Sequence, residues 1–299
     1  MKIVLTGGSG QLGEILKPLL AAVGTVVAPP RSRLDLAEPA SIEEALNQLQ
    51  PDVIVNAGAY TDVDGAEGAE DLAYAANGRA PGVIGRWASS AGAVVIHVST
   101  DYVFDGDGSH PLTEEDTPRP VNVYGRTKLA GEQALLATPA VAVVLRTAWL
   151  FGPAGSNFLK RVTGWAQTRE RISVVDDQVG SPTTTLWLAP AIATLVERLH
   201  RCDETERASL RGIYHAAGAG MVDRRSFAQA ILDDMALTGQ PLACREILPA
   251  RSADFPAPAR RPAFSALSSR RFSETWGVMP QSWREGVSEV VAALAIVRR

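Results

Sequence analysis

Cysteine is scarce in this sequence, in which Cys202 and Cys244 are the only two among 299 residues. Their spacing fits no metal-binding or redox motif, so we expect reduced thiols and a cytoplasmic protein. The four histidines do not cluster either. His97 and His215 lie inside apolar runs, where we expect them to be structural.

Long apolar runs and basic blocks are also absent. No stretch is long enough to span a bilayer, and the first residues lack the pattern of a signal peptide. A net charge of -4 without a basic block argues against nucleic acid as the main partner. With 46% hydrophobic and 21% charged residues, the composition is that of a soluble globular enzyme. We therefore expect neither a membrane nor a nucleic-acid partner.

Glycine is concentrated at the N-terminus, in Thr6-Gly-Gly-Ser-Gly-Gln-Leu-Gly13. An apolar strand precedes this segment and a helical pattern follows it. The glycines fit two overlapping spacings, one beginning at Gly7 and one at Gly8, and both share Gly10 and Gly13. Either spacing gives a tight turn and lets the backbone approach a pyrophosphate at the N-terminus of the helix. The segment predicts a dinucleotide site.

Apolar strands alternate with helical patterns through the first half of the chain, and the candidate motifs follow the ends of those strands. We predict an α/β fold, a Rossmann-like doubly wound parallel sheet that binds ligands at the carboxyl ends of its strands. Residues 1–150 are predicted to form the NAD(P)-binding domain. Residues 151–299 are predicted to form mainly a smaller C-terminal substrate-binding lobe, with some segments returning to the first domain.

Two local patterns are less regular. Residues 71–91 predict a long helix that Pro81 kinks or restarts. Residues 248–262 are rich in proline, alanine and arginine, and they predict an extended surface loop.

Tyr124 and Lys128 are four residues apart, so they share one face of a predicted helix. A free tyrosine titrates near roughly 10, and a neighbouring cation favours its ionised form. Thr100, at the end of a predicted strand, adds a second hydroxyl for a carbonyl oxygen. These residues together predict a site that moves a proton onto an oxygen while a hydride reaches the attached carbon.

These motifs resemble those of the extended short-chain dehydrogenase/reductase family over nearly the full length of the chain. The glycine segment and Tyr124-Gly-Arg-Thr-Lys128 are typical of the whole family. Two narrower strings resemble its sugar-nucleotide reductases: Ser99-Thr-Asp-Tyr-Val-Phe-Asp-Gly106 and Asp176-Asp-Gln-Val-Gly-Ser-Pro182.

The resemblance implies reduction of the 4-keto group of dTDP-4-dehydro-L-rhamnose to dTDP-L-rhamnose, with NADPH or NADH as the hydride donor. This reaction belongs to nucleotide-sugar biosynthesis for cell-surface polysaccharide. The implied catalytic residues are Thr100, Tyr124 and Lys128. The implied substrate-binding residues are Thr100, Asp101, Tyr102, Trp149, Asn157 and Gln178. The implied cofactor-binding residues are Gly7, Gly10, Gln11, Leu12, Gly13, Arg31, Asp35, Leu36, Ala57, Gly58, Ala59, Tyr60, Ser99, Tyr124 and Lys128.

The second predicted strand is followed by Arg31 and Arg33 and has no carboxylate at its tip, which favours NADPH because arginine accommodates a 2′-phosphate. Some relatives are thought to bridge two subunits through Mg²⁺ with a carboxylate on the first helix. The corresponding position here is Ile15. We therefore predict no metal, while a homodimer stays open.

Two other interpretations stay open. A related sugar-nucleotide reductase or epimerase would share the glycine segment, Tyr124 and Lys128. A non-catalytic regulatory subunit of the same fold would keep the cofactor loop without needing the catalytic residues. The presence of Thr100, Tyr124 and Lys128 together favours the enzyme.

Overall fold

The computed structural model describes residues 1–296 of the chain, so the last three residues of the predicted second domain lie outside the described part. The elements of its first half are β1 (Lys2–Thr6), α1 (Gln11–Ala21), β2 (Thr25–Val27), α2 (Pro39–Leu49), β3 (Val53–Asn56), α3 (Val63–Gly68), α4 (Glu70–Ala73), a π-helical turn (Tyr74–Arg79), α5 (Ala80–Ala91), β4 (Val94–Thr100), a 3₁₀ turn (Asp101–Val103), α6 (Val123–Leu136) and β5 (Val141–Thr147).

The second half has shorter strands and longer connections. Its elements are β6 (Leu150–Phe151), α7 (Phe158–Thr168), β7 (Arg171–Val175), β8 (Val179–Gly180), β9 (Thr183–Thr184), α8 (Thr185–Arg201), α9 (Glu204–Ser209), β10 (Gly212–His215), β11 (Val222–Asp223), α10 (Arg224–Leu237), β12 (Glu246–Ala250), a 3₁₀ turn (Ser252–Asp254), α11 (Arg270–Trp276) and α12 (Trp283–Ile296).

Within residues 1–296, six strands form one parallel sheet in the order β2-β1-β3-β4-β5-β10. The predicted doubly wound parallel sheet is confirmed. The strand β1 has β2 on one side and β3 on the other, so the direction in which strands are added to the sheet reverses between β2 and β3. The carboxyl ends of β1 and β3 therefore flank a switch point, which is where such sheets form a ligand crevice.

Both faces of this sheet are buried, because alternate residues of each strand face opposite layers of helices. Ile3 and Leu5 of β1 pack in one hydrophobic cluster with α1, α8 and α11. Val4, between them, packs in the other cluster with α2 and α5. This two-sided burial fixes the sheet and leaves its carboxyl edge as the place where polar side chains gather.

A separate hydrophobic cluster joins α7, α10 and α12 with β7 and β12. The strands β7 and β12 pair in parallel and lie apart from the main sheet. The prediction of a surface loop over residues 248–262 is wrong at its start, because Leu248–Ala250 belongs to β12. Pro249 is tolerated there because each strand of a two-stranded sheet has one free edge, and a residue whose backbone nitrogen lies on that edge does not need to donate a hydrogen bond.

Residues 71–91 are helical as predicted, but the helix continues into α5 with helical φ and ψ at residues 79 and 80 rather than restarting at Pro81. A π-helical turn lies directly before Pro81, where the N–H of Ala80 donates to the Ala75 carbonyl. Among residues 1–296, no helix is both long enough and apolar enough to cross a membrane.

Candidate active site

The glycine segment forms a tight turn between β1 and α1. Gly7 has a φ of 68°, and the N–H of Gly10 donates to its carbonyl at 2.9 Å. A Cβ on Gly13 would lie 2.1 Å from that same carbonyl oxygen, so only glycine allows the helix to approach the turn. The spacing that begins at Gly7 therefore forms the turn, while Gly8 makes room for Ala28. This cradle fits a dinucleotide, since α1 begins at Gln11 with unpaired N–H groups.

The segment after β3 forms the other wall of the crevice. Gly58 packs against Gly7, and a Cβ on it would lie 2.9 Å from the Leu36 side chain. The backbone of Tyr60 is held by Asn77, whose amide both accepts from its N–H at 2.8 Å and donates to its carbonyl at 3.0 Å. Asn77 lies in the π-helical turn, a feature that often marks functional sites. Leu36 and residues 57–60 are thus gathered beside the glycine turn.

Arg31 and Asp35 form an exposed ion pair with Nε and Oδ2 3.0 Å apart, and the Arg31 side chain is 72% exposed. Asp35 also accepts a hydrogen bond from the N–H of Ala37 at 2.9 Å. That bond, opposed by partial burial and aided by Arg31, lowers the pKa of Asp35. Arg31 is the more accessible member of the pair.

Thr100 ends β4 and caps the 3₁₀ turn that follows. Its hydroxyl accepts from the N–H of Tyr102 at 3.2 Å and donates to Asp101 at 3.1 Å. The turn packs closely on α6 because residue 125 is glycine, where a Cβ would lie 2.1 Å from the carbonyl oxygen of Tyr102. The middle of the Tyr124-Gly-Arg-Thr-Lys128 motif therefore brings Thr100 and Tyr124 together.

The Tyr124 ring lies nearly perpendicular to that of Tyr102, with centroids 5.7 Å apart. Burial raises the pKa of Tyr124 above its ordinary value, whereas the nearby Thr100 hydroxyl acts to lower it. The expectation that Lys128 lowers this pKa is wrong for this structure, because the Lys128 ammonium contacts other groups. A raised pKa keeps the phenol protonated at neutral pH, which is the state that a proton donor needs.

Lys128 is 2% exposed. Its Nζ donates to the Val98 carbonyl at 2.7 Å and lies 3.3 Å from Nε2 of His97. Burial lowers the pKa of Lys128 to about 8, although the charge of Glu132 acts to raise it. The lysine is thus charged at neutral pH but close to losing its proton. His97, expected only to be structural, lies in contact with it.

Ser99 was predicted to bind cofactor, but its hydroxyl donates to the buried carboxylate of Glu132. Arg146 binds the same carboxylate bidentately, with Nη2 2.7 Å from Oε2 and Nε 3.0 Å from Oε1. The Ser99 side chain is therefore engaged under α6. Sequence reasoning missed Glu132, although Lys128 and Glu132 share a helix face at a spacing of four residues.

Asp101 is a buried acid beside the candidate reaction centre and is 2% exposed. Burial raises its pKa to about 6, against the effects of the Ser265 and Thr100 hydroxyls and of the charge of Arg224. Its Oδ2 has no hydrogen-bond partner among the described residues. A buried carboxylate oxygen of this kind is available to a sugar hydroxyl.

Trp149 has a φ of 44°, an uncommon conformation for a residue other than glycine. One side of the indole packs on Gly180, where a Cβ would lie 2.4 Å from the ring. On this indole stacks the Arg224 guanidinium, with Cζ 3.4 Å from the ring centroid. The glycine of the Asp176-Asp-Gln-Val-Gly-Ser-Pro182 string thus makes room for Trp149. Sequence reasoning missed Arg224, which carries no motif signal.

Asn157 and Gln178 already have protein partners. Asn157 caps α7 by accepting from the N–H of Lys160, and it donates to the Gly152 carbonyl at 2.9 Å. Gln178 donates to the Ser252 hydroxyl at 2.9 Å. Gln11, beside Asn157, reaches the Leu150 carbonyl at 3.4 Å. The predicted ligand contacts of these three side chains stay predictions.

Known proteins match this chain over nearly its full length. The profile of the family described as RmlD substrate binding domain matches residues 1–296. The chain is 39% identical over 296 residues to a dTDP-4-dehydrorhamnose reductase of Burkholderia thailandensis, which covers 98% of this chain and 99% of the relative.

Two solved structures are also similar. A dTDP-4-dehydrorhamnose reductase from Clostridium acetobutylicum is 34% identical with a TM-score of 0.87, covering 98% of this chain and 99% of that one. The Bacillus anthracis reductase, solved in complex with NADP, is 32% identical with a TM-score of 0.86, covering 97% and 98% of the two chains.

Proposed function

Since the chain belongs to the RmlD substrate binding domain family, we propose that it reduces the 4-keto group of dTDP-4-dehydro-L-rhamnose to give dTDP-L-rhamnose, with NADPH as the preferred donor over NADH. The observation that carries this proposal is the convergence of Thr100 and Tyr124 at the end of β4. This pair of hydroxyls lies on the carboxyl edge of the sheet that also forms the dinucleotide crevice.

The residues divide the chemistry between them. When bound, the reduced nicotinamide supplies the hydride that adds to C4. Tyr124 donates its phenolic proton to O4, and Thr100 donates a hydrogen bond to the same oxygen as negative charge develops there. Lys128, while charged, binds the nicotinamide ribose. Asp101 and Tyr102 hold the sugar.

The cofactor is held by the cradle described above. The pyrophosphate is bound by the backbone of Gly7 to Gly13 at the N-terminus of α1. The adenine side of the crevice is lined by Asp35 and Leu36, and the nicotinamide side by residues 57–60. The exposed guanidinium of Arg31 binds the 2′-phosphate that distinguishes NADPH from NADH.

Replacing Arg31 with alanine is expected to lower kcat/KM for NADPH about tenfold, since a hydrogen bond to a charged group contributes about 1.5–3 kcal/mol. The kcat/KM for NADH has no such contact to lose and should stay within a factor of about two. Steady-state kinetics with each cofactor measures both values. An equal loss with both cofactors would show that Arg31 does not select the 2′-phosphate.

Arg224 is placed to bind the diphosphate of the substrate. Its guanidinium lies between Trp149 and Phe158, with Cζ 5.0 Å from the centroid of the second ring. Burial lowers its pKa to about 10, so it is charged at neutral pH. No carboxylate pairs with it within 4 Å among the described residues. A stacked, charged guanidinium without a carboxylate partner is suited to a phosphate.

Replacing Arg224 with methionine is expected to raise KM for the nucleotide sugar about 10–100-fold, because it removes charge-assisted hydrogen bonds made equally to substrate and transition state. The expected change in kcat is small. Arg169→Met is the matched control, since Arg169 stacks on Trp165 away from the cleft with Cζ 5.6 Å from the ring. A loss of kcat with an unchanged KM would contradict this role.

The reaction itself is tested by NADPH oxidation on addition of dTDP-4-dehydro-L-rhamnose, with identification of the sugar product. Stoichiometric NADPH loss with dTDP-L-rhamnose as product is the expected result. An epimerase would convert the sugar without net NADPH loss, and a regulatory subunit would bind NADPH without turnover. Either result would replace the proposed function.

The roles of the two domains, the cellular location and the oligomeric state are part of the same proposal. Residues 1–150 mainly bind the cofactor and residues 151–299 mainly bind the substrate, while β10 adds the last strand to the main sheet. A cytoplasmic location is supported by the two free thiols, Cys202 and Cys244. A homodimer is tested by light scattering of the purified protein.

A further inference from the structure

His97 is a buried titratable residue that has no role in the mechanism above. It lies on β4, is 1% exposed and is the register partner of Asn56 on β3. Its Nε2 is 3.3 Å from Nζ of Lys128, and its Nδ1 is 3.0 Å from Nδ2 of Asn56. The imidazole thus bridges the lysine and the strand that leads to the cofactor crevice.

Asn56 determines which ring nitrogen carries the proton. Its Oδ1 accepts from the Thr6 hydroxyl at 2.6 Å, and Thr6 in turn accepts from the N–H of Gly58 at 3.0 Å. In this orientation the amide presents its NH₂ group to His97, so that Nδ1 accepts. Burial, and after it the charge of Lys128, holds the pKa of His97 well below its ordinary value, so the ring is neutral. A neutral ring has one N–H, which lies on Nε2 and faces Lys128.

An N–H that faces Nζ can donate only to an uncharged amine, because an ammonium has three N–H groups and no lone pair. The Val98 carbonyl accepts from Nζ in either state. The other charged groups near Nζ are Glu132 on α6 and, through Glu132, Arg146 on β5. Glu132 favours the charged lysine, and the His97 N–H opposes it.

We propose that His97 is a positioning residue whose Nε2–H donates to the uncharged Nζ of Lys128 and thereby sets the pH at which this lysine loses its charge. The proposal rests on the function proposed above, in which charged Lys128 binds the cofactor ribose. The Asn56–Thr6–Gly58 chain links the ring to the wall of the crevice, so the tautomer is fixed by residues that line the cofactor site.

The pH dependence of NADPH affinity tests this role without turnover. We expect the affinity of the unmodified protein to fall as Lys128 loses its charge, near its pKa of about 8. His97→Leu removes the donor, so this fall should move about 0.5–1 pH unit higher, the value of one hydrogen bond. Asn56→Ala retains the imidazole but no longer determines which ring nitrogen carries the proton, so the loss of NADPH affinity should again move to higher pH. Lys128→Met should abolish this pH-dependent loss of affinity.

The control is Val95→Ala, on the same strand but in the hydrophobic cluster on the other face of the sheet. It should lower stability and leave the pH dependence unchanged. If His97→Leu does not fold, Asn56→Ala still gives the shift. A fall that stays at the original pH, or moves lower, in the folded variants overturns the proposal. The proposal is also overturned if ¹⁵N NMR of the His97 imidazole finds the proton on Nδ1. This measurement does not depend on the reductase reaction.

Discussion

Replacing Tyr124 with phenylalanine is expected to lower kcat about 10²–10⁴-fold, the usual contribution of a positioned general acid. The phenol is buried against Thr100, and its raised pKa keeps it protonated at neutral pH. The variant removes the proton donor but retains the ring that packs on Tyr102 at 5.7 Å. The KM for NADPH should therefore change little. Steady-state kinetics and NADPH titration measure the two quantities.

Tyr214→Phe is the matched control for this variant. Tyr214 is also a buried tyrosine, and its hydroxyl donates to the Leu210 carbonyl at 3.0 Å, on the edge strand β10. Its replacement removes a phenolic hydroxyl that is distant in sequence from the candidate catalytic residues, so turnover should be retained. A Tyr124→Phe variant with nearly full kcat would exclude Tyr124 as the proton donor.

The direction of the reaction is compatible with a raised pKa on this tyrosine. Reduction of a ketone requires a protonated donor at the start, and a tyrosine is already protonated at neutral pH with its ordinary pKa of roughly 10. Burial maintains that state. A lowered pKa would instead help the reverse oxidation, in which the phenolate must accept a proton. The sequence pattern of Tyr124 and Lys128 suggests a lowered pKa because it shows their spacing but not the depth at which the phenol is buried.

Motifs that depend on local backbone geometry could be predicted from the sequence. The turn at Gly7, the position of Thr100 at the end of β4 and the shared helix face of Tyr124 and Lys128 all follow from short-range patterns. The parallel sheet follows from alternating apolar strands and helices. These features were predictable because each is determined by residues within one strand–turn–helix unit.

Contacts between distant segments could not be predicted in the same way. Arg224 reaches Trp149 only because β11 pairs with β8, and Asp64 binds Arg261 bidentately across almost 200 residues of sequence. Likewise, β12 requires β7 as its partner, so the proline-rich segment looks like a loop when considered alone. Such contacts depend on tertiary packing, which has no signature in a single segment.

The buried ion pair beneath the site is the clearest case of such a contact, and it leads to the largest expected loss of stability. Glu132 and Arg146 have side chains that are 1% and 2% exposed. Removing one member leaves the other charge buried without a partner, which typically costs about 3–5 kcal/mol. We expect Glu132→Leu and Arg146→Met each to lower the free energy of unfolding by that amount, measured by urea denaturation at neutral pH.

The double variant Glu132→Leu/Arg146→Met separates the ion pair from simple loss of packing. With both charges replaced by apolar side chains, no charge is left unpaired, and the stability should return to within about 1 kcal/mol of the original value. If the double variant is as unstable as the sum of the single variants, the loss does not come from an unpaired charge.

The activity of a stable double variant measures what the ion pair contributes to the neighbouring active site. In this variant Ser99, which is next to Thr100, has lost the carboxylate that accepted its hydroxyl. We expect the stable double variant to show a lowered kcat and, because Lys128 has lost the carboxylate that favours its charged form, a weaker affinity for NADPH at neutral pH.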